Sequence, residues 1–139
     1  MEQHLTAAPD APVLCDMTTA PDTGEERLAE YQRLFAGYFL ERERTAEGFR
    51  FRFRAGDGDA VQGWVQSLAA REHACCPFFT SHVTRADDVV VWDGSVVDDD
   101  MARAVLEEFY ALPETFAAGG GVAELEARLA SRGFQVINP

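Results

Sequence analysis

GFRFRFRAGDGDAVQGWVQSLAAREHACCPFF, residues 48–79, is where the chain first shows both of its periodicities. Phe49, Phe51 and Phe53 alternate with Arg50, Arg52 and Arg54, so the segment reads as a strand with one aromatic face and one cationic face. Ala55-Gly56-Asp57-Gly58 is a turn. Beyond it the period changes. At about 100° per residue, Val61, Trp64, Val65 and Leu68 form one apolar helical stripe. Glu72 falls near the centre of that stripe, where another aliphatic residue is expected. Cys75 and Cys76 follow three and four positions later and share its face. Pro77 closes the helix, because the residue before a proline is pushed out of the helical region. Phe78 and Phe79 begin a second extended segment.

Working outward, Thr23-Gly24-Glu25-Glu26 reads as a capping box. It starts a helix that runs to about Arg44, with Leu28, Tyr31, Leu34, Phe35 and Tyr38 on its apolar face. After Pro77, residues 78–85 and 89–92 form a hairpin through Ala86-Asp87-Asp88, and Asp93-Gly94 ends its second strand. Asp98 caps a helix whose core positions are Ala102, Val105, Leu106 and Phe109. Pro113 breaks that helix, and Gly119-Gly120-Gly121 is a joint. Residues 122–132 make a short amphipathic helix through Val122, Leu125 and Leu129, with Gly133 at its C-cap. The tail from Phe134 adds an edge strand or docks.

The order α-β-α-β-β-α plus a short C-terminal helix predicts an α+β domain, a small antiparallel or mixed sheet packed against helices. Part of it overlaps a ferredoxin-like order with one strand missing or supplied by the termini. Three segments are expected: a loose N-terminal segment over 1–22 carrying Cys15, a core over 23–112, and a C-terminal extension over 113–139. Val13-Leu14 is an apolar island that can pin Cys15 against the body.

With 139 residues, 47% of them apolar and 11% aromatic, the chain is expected to be one folded domain. No apolar run approaches the roughly 20 residues that cross a bilayer, and the N-terminus lacks the basic and apolar blocks of a signal peptide. A cytoplasmic location is the expectation. A net charge of −12 argues against nucleic-acid partners and anionic membranes. All 12 basic residues are arginine, which excludes Schiff-base and pyridoxal-phosphate chemistry. No phosphate-cradling or dinucleotide motif points to a nucleotide.

Cys15, Cys75 and Cys76 are an odd count without a disulfide framework, so thiols are expected in a reducing cell. Thiolates select soft ions such as Cu(I), Zn(II) or Hg(II). The leading expectation is therefore a soft metal ion or thiophilic compound held by Cys75, Cys76 and Cys15. A carboxylate on a buried stripe is costly unless paired. Glu72 is accordingly either the partner of an arginine of the 50–54 strand, or a ligand and acid/base group beside the thiols. Two enzyme readings use the same residues. In one, thiolates capture an organometallic or electrophilic substrate while Glu72 or Asp16 delivers a proton. In the other, an acid/base pocket is built on Glu72, His82, Trp64 and the phenylalanine row, with incidental thiols. His73 is expected at the helix edge, and the Arg50-Arg52-Arg54 row is either a solvated strand face or a holder of carboxylate or phosphate.

The run Glu72-His73-Ala74-Cys75-Cys76-Pro77-Phe78, with Cys15 ahead of the first helix and the aromatic-arginine strand, resembles a group of small actinobacterial proteins. Similar segments occur beside, or fused behind, regulators of the heavy-metal-responsive MerR type. The resemblance covers residues 13–112 and implies metal or thiol biology without specifying a reaction.

Overall fold

The phenylalanines of the 48–54 strand face a layer of helices, and their burial sets the architecture. In the computed structural model, which describes residues 2–139, Phe49, Phe51 and Phe53 are essentially inaccessible to solvent. They belong to β4 (Gly48–Arg54), the second-last strand of a five-stranded sheet. The other members are β1 (Gln3–Leu5), β3 (Phe39–Arg44), β5 (Phe79–Ala86) and β6 (Val89–Val96), in the order β1-β5-β6-β4-β3. Every pairing in this sheet is antiparallel. Two further segments, β2 (Cys15–Asp16) and β7 (Val136–Ile137), pair in parallel as a small separate sheet.

Among the described residues there are also five helices: α1 (Gly24–Tyr38), α2 (Ala60–Cys75), α3 (Asp100–Tyr110), α4 (Leu112–Ala117) and α5 (Val122–Ser131). The molecule is thus α+β. Strands β4 and β5, joined by α2, run parallel on either side of β6. The place beside β4 where a ferredoxin-like order would put a strand after α3 is taken instead by β3, which precedes it.

The core lies between the helices and one sheet face. Val61, Val65, Leu68 and Ala69 of α2 are buried there with Phe79, Val83, Val90 and Trp92 of the hairpin. Trp92 donates its indole N–H to the Ser81 hydroxyl at 3.1 Å, so both polar groups of this buried pair are satisfied. The other sheet face is charged. Arg50 and Arg52 pair with Asp93, Glu41 and Glu43 at 2.7–3.5 Å, and Arg54 donates to the Gly37 carbonyl. The arginine row is a solvated face cross-linked to its neighbours.

Several boundaries differ from expectation. The first helix has its capping box at Thr23 and Glu26 but stops at Tyr38, not Arg44. Phe39 to Arg44 turn into β3 because their acidic members find the arginines of β4, and Phe39 stacks on Phe35. Strand β6 runs past Asp93-Gly94 to Val96. Gly94 does not end it but sits under the Phe49 ring, where any Cβ would collide with that ring. The cap of α3 is Asp99, not Asp98, its carboxylate accepting from the Ala102 N–H at 2.9 Å. Helix α5 ends at Ser131, and Gly133 takes the left-handed conformation just past it. The tail then forms β7; the Gln135 carbonyl just ahead of it and the Ile137 carbonyl within it accept from the Cys15 and Met17 N–H groups.

Among the described residues, no helix is long and apolar enough to cross a membrane.

Candidate functional site

Two buried helix positions that pattern alone would fill with aliphatic residues meet at the centre of this site. One is Glu72 on α2; the other is Arg27, in the first turn of α1 on the stripe of Tyr31 and Leu34. Arg27 Nη1 donates to Glu72 Oε1 at 3.1 Å and lies 3.1 Å from Cys75 Sγ. Its other two nitrogens hold Asp22 in a bidentate pair, at 3.0 and 2.7 Å. Asp22 also accepts from Arg71, which forks onto Glu30, and Glu30 accepts from the Trp64 indole. Glu72 therefore has an ion-pair partner, but it is Arg27 and not an arginine of the 50–54 strand. Arg50 and Arg52 pair across the outer sheet face, and Arg54 reaches only the end of α1 at Gly37 and Tyr38.

Two guanidinium groups, Arg27 and Arg71, face three carboxylates, Asp22, Glu30 and Glu72. The shortfall falls on the most buried carboxylate. Burial raises the Glu72 pKa, with the Arg27 charge opposing. The hydrogen bond from Arg27 lowers that of Asp22. Burial by itself would weaken the hold of Arg27 on its proton, but Asp22, Glu72 and Cys75 more than offset it, and the guanidinium stays charged.

The end of α2 places the sulfurs. Cys75 is its last residue and Cys76 its C-cap, with the Cys76 N–H donating to the Glu72 carbonyl at 2.7 Å before Pro77 stops the helix. Cys15 arrives from the other side, held by the β2–β7 pairing. The three sulfurs lie within 4.8 Å of one another, all buried. The expectation of three thiols is corrected, however: Cys15 and Cys76 form a disulfide, their Cα atoms 4.5 Å apart, and only Cys75 is free. The pairing of β2 with β7 holds Cys15, while Cys76 is set by the end of α2. Cys75 Sγ is 3.5 Å from Cys76 Sγ. Burial pushes its thiol up to about 11, the Glu72 carboxylate adding to the effect and Arg27 opposing it.

Above the sulfurs is a cavity of about 120 Å³. Leu28, Val105, Leu112, Leu125, Leu129 and Phe134 make its apolar wall, while Arg27, Tyr31, Glu72 and the three cysteines make its polar floor. Much of this wall comes from α5 and the segment after it, the C-terminal extension. The Tyr31 hydroxyl, in a residue only 3% exposed, makes no hydrogen bond of good geometry among the described residues. It is nonetheless close enough to Glu72 for that carboxylate to help burial hold its pKa well above 10.

The remaining candidates lie elsewhere. Asp16 follows Cys15 but turns outward, accepting from the Thr18 hydroxyl and N–H at 2.6 and 2.9 Å, which lowers its pKa. His82 is on the opposite face of the sheet from Glu72. Its Nε2 lies 3.3 Å from the Glu2 carboxylate, and its ring sits 4.8 Å from that of His4. His73 caps the start of the hairpin, with Nδ1 2.8 Å from the Phe79 carbonyl. The structure thus unites Cys15, Cys75, Cys76 and Glu72, and it leaves Asp16 and His82 outside the cavity.

Sequence reasoning missed Arg27, Tyr31 and Asp22. Arg27 carried a usable signal, because it falls four residues before Tyr31 and seven before Leu34 on the buried stripe of α1. Asp22 carried none. Compared with known proteins, the chain matches no family model, no curated protein and no solved structure.

Proposed function

We propose that the protein, in its reduced form, binds a soft metal ion or a thiophilic compound through Cys75, Cys76 and Cys15, with Glu72 tuning the site. The observation that carries this reading is the convergence of three sulfurs within 4.8 Å at the floor of an apolar cavity. Soft ions such as Hg(II), Cu(I) or Zn(II) favour thiolates, and two or three sulfurs complete a linear or trigonal site. Arg27 beside Cys75 supports the thiolate that such binding needs. An arriving cation would displace the thiol proton despite the raised pKa. The resemblance of the Glu-x-x-Cys-Cys-Pro-Phe run to segments found with metal-responsive regulators points the same way.

Binding requires reduction of the Cys15–Cys76 bond, which makes the reading conditional on redox state. The test is a metal and thiol count on protein reduced and handled without oxygen. One equivalent of Hg(II) or Zn(II) is expected, with affinity lowered by orders of magnitude in Cys75→Ser and in Cys76→Ser. Unchanged binding by the double variant would sink the proposal.

The enzyme reading is favoured by one observation. Glu72 Oε2 is 3.9 Å from Cys76 Sγ, and burial raises the pKa of this carboxyl, which suits it to exchange a proton at the sulfurs. Product formation continuing beyond one equivalent would establish turnover; uptake that stops at one equivalent supports binding.

A further inference from the structure

The cavity has chemistry that the sulfurs do not use. With Cys76 in a disulfide, its sulfur has no proton to donate, so Glu72 Oε2 receives no hydrogen bond from it, and the Arg27 contact goes to the other oxygen, Oε1. The Tyr31 hydroxyl is likewise without a well-formed partner among the described residues. Both residues line the same cavity, and both are buried. Buried polar groups in folded proteins are nearly always satisfied; these two lie near enough to interact but meet in no bond of good geometry, so a third group between them would complete both.

The surroundings restrict what that is. A carboxylate or phosphate would meet Glu72, and an amine would meet Arg27, so charge is disfavoured in either sign. The wall of Leu28, Val105, Leu112, Leu125, Leu129 and Phe134 suits hydrocarbon. The volume of about 120 Å³ is of the order of apolar cavities that take up benzene, about 150 Å³. The polar end needs a group that accepts from a tyrosine hydroxyl and donates to a carboxylate oxygen at once. A hydroxyl does both.

We infer that, with the Cys15–Cys76 disulfide closed, this cavity is a binding site for a neutral, ring-sized organic molecule bearing one hydroxyl, held between Tyr31 and Glu72. The inference goes beyond soft-metal binding, since it uses oxygen atoms and apolar walls and needs no free thiolate. Burial keeps the tyrosine protonated, so its donor is present throughout the neutral range.

Phenol and toluene test it, because they share size and shape and differ in one hydroxyl. Each is titrated into oxidised protein while the side-chain methyl resonances of Val105, Leu125 and Leu129 are followed by NMR. Saturable shifts are expected with both, with phenol tighter by about tenfold, the scale of one well-made hydrogen bond. Tyr31→Phe removes a hydroxyl with no well-formed bond and is expected to fold normally, as its urea midpoint will show. In that variant phenol should weaken to the level of toluene, and toluene should be unchanged. Leu125→Trp, which fills the cavity, should abolish both. Cys75→Ala should keep phenol binding while losing the soft-ion site, which separates this inference from the metal reading. Absence of saturable shifts in the parent, no preference for phenol over toluene, or a preference that survives Tyr31→Phe each overturns it.

Discussion

Arg27 and Glu72 form an ion pair between two helices, Nη1 to Oε1 at 3.1 Å, with side chains only 5% and 8% exposed. The pair is unequal. Arg27 has a second carboxylate in Asp22, whereas Glu72 has no other cation among the described residues. Removing the arginine therefore leaves Glu72 buried without a cation and Asp22 with Arg71 alone. Arg27→Met should cost about 3–5 kcal/mol, as breaking a buried pair does. Glu72→Gln leaves Arg27 still neutralised by Asp22 and should cost only about 1–3 kcal/mol. Urea unfolding of both variants checks the order, and equal losses would mean that Asp22 contributes nothing.

Cys75 gives the site a pH signature. Its folded pKa of about 11 lies above the ordinary 9.0 of an unfolded thiol. The folded state therefore binds the proton more tightly, and stability declines as pH rises from 9 toward 11. The contribution present below pH 9 is roughly 2–3 kcal/mol and is lost as the thiol ionises in the folded protein. Cys75→Ala should flatten the decline across that window. Unfolding free energies measured at pH 8, 9.5 and 11 on the parent and the variant decide it, and parallel curves would refute it.

How much of this was legible follows the kind of signal each residue left. The alternation of Phe49, Phe51 and Phe53 identified β4 with its true bounds, because one wholly aromatic face admits only a buried side. The interruption of the α2 stripe by Glu72 located the site for the same reason. Strand β3 was hidden because Phe-Leu-Glu-Arg-Glu-Arg is as compatible with a helix as with an edge strand, and only the arginines of β4 decide between them. Strands β1, β2 and β7 are too short to carry a period. The disulfide and the roofing of the cavity by α5 depend on the pairing of Cys15 with Val136, across most of the chain. No local pattern encodes that contact.

The close approach of β4 and β6 gives a test of the sheet itself. Gly94 sits opposite Phe49, and a Cβ there would overlap the ring. Phe49 cannot yield easily, since it stacks on Phe51 and packs against Phe79, Trp92 and Phe109. Gly94→Ala should destabilise the protein by about 1–3 kcal/mol, the usual cost of overpacking. The control is Gly63→Ala, in α2, where an added methyl meets nothing. That change should stabilise by about 0.4–1 kcal/mol. Thermal unfolding of the two variants should give shifts of opposite sign.

The Cys15–Cys76 bond spans 61 positions of sequence and ties β2 to the end of α2. By chain entropy alone, opening it should lower stability by about 4 kcal/mol. Dithiothreitol should therefore bring a large fall in the urea midpoint of the parent. Cys15→Ser should show that fall already and respond no further to reductant. The proposed metal site adds a second half to the experiment. A soft ion held by the reduced sulfurs binds the folded state in preference to the unfolded one, so it returns stability by mass action. At a hundredfold excess over its Kd the gain is about 2.7 kcal/mol. Zn(II) or Hg(II) added to reduced parent, with a reductant that does not sequester the metal, should recover more than half of what reduction removed. In the Cys75→Ser, Cys76→Ser variant the same addition should recover nothing. If the reduced parent gains no stability from either ion, the three sulfurs are only a structural tie with a spare thiol beside it, and the soft-metal reading fails.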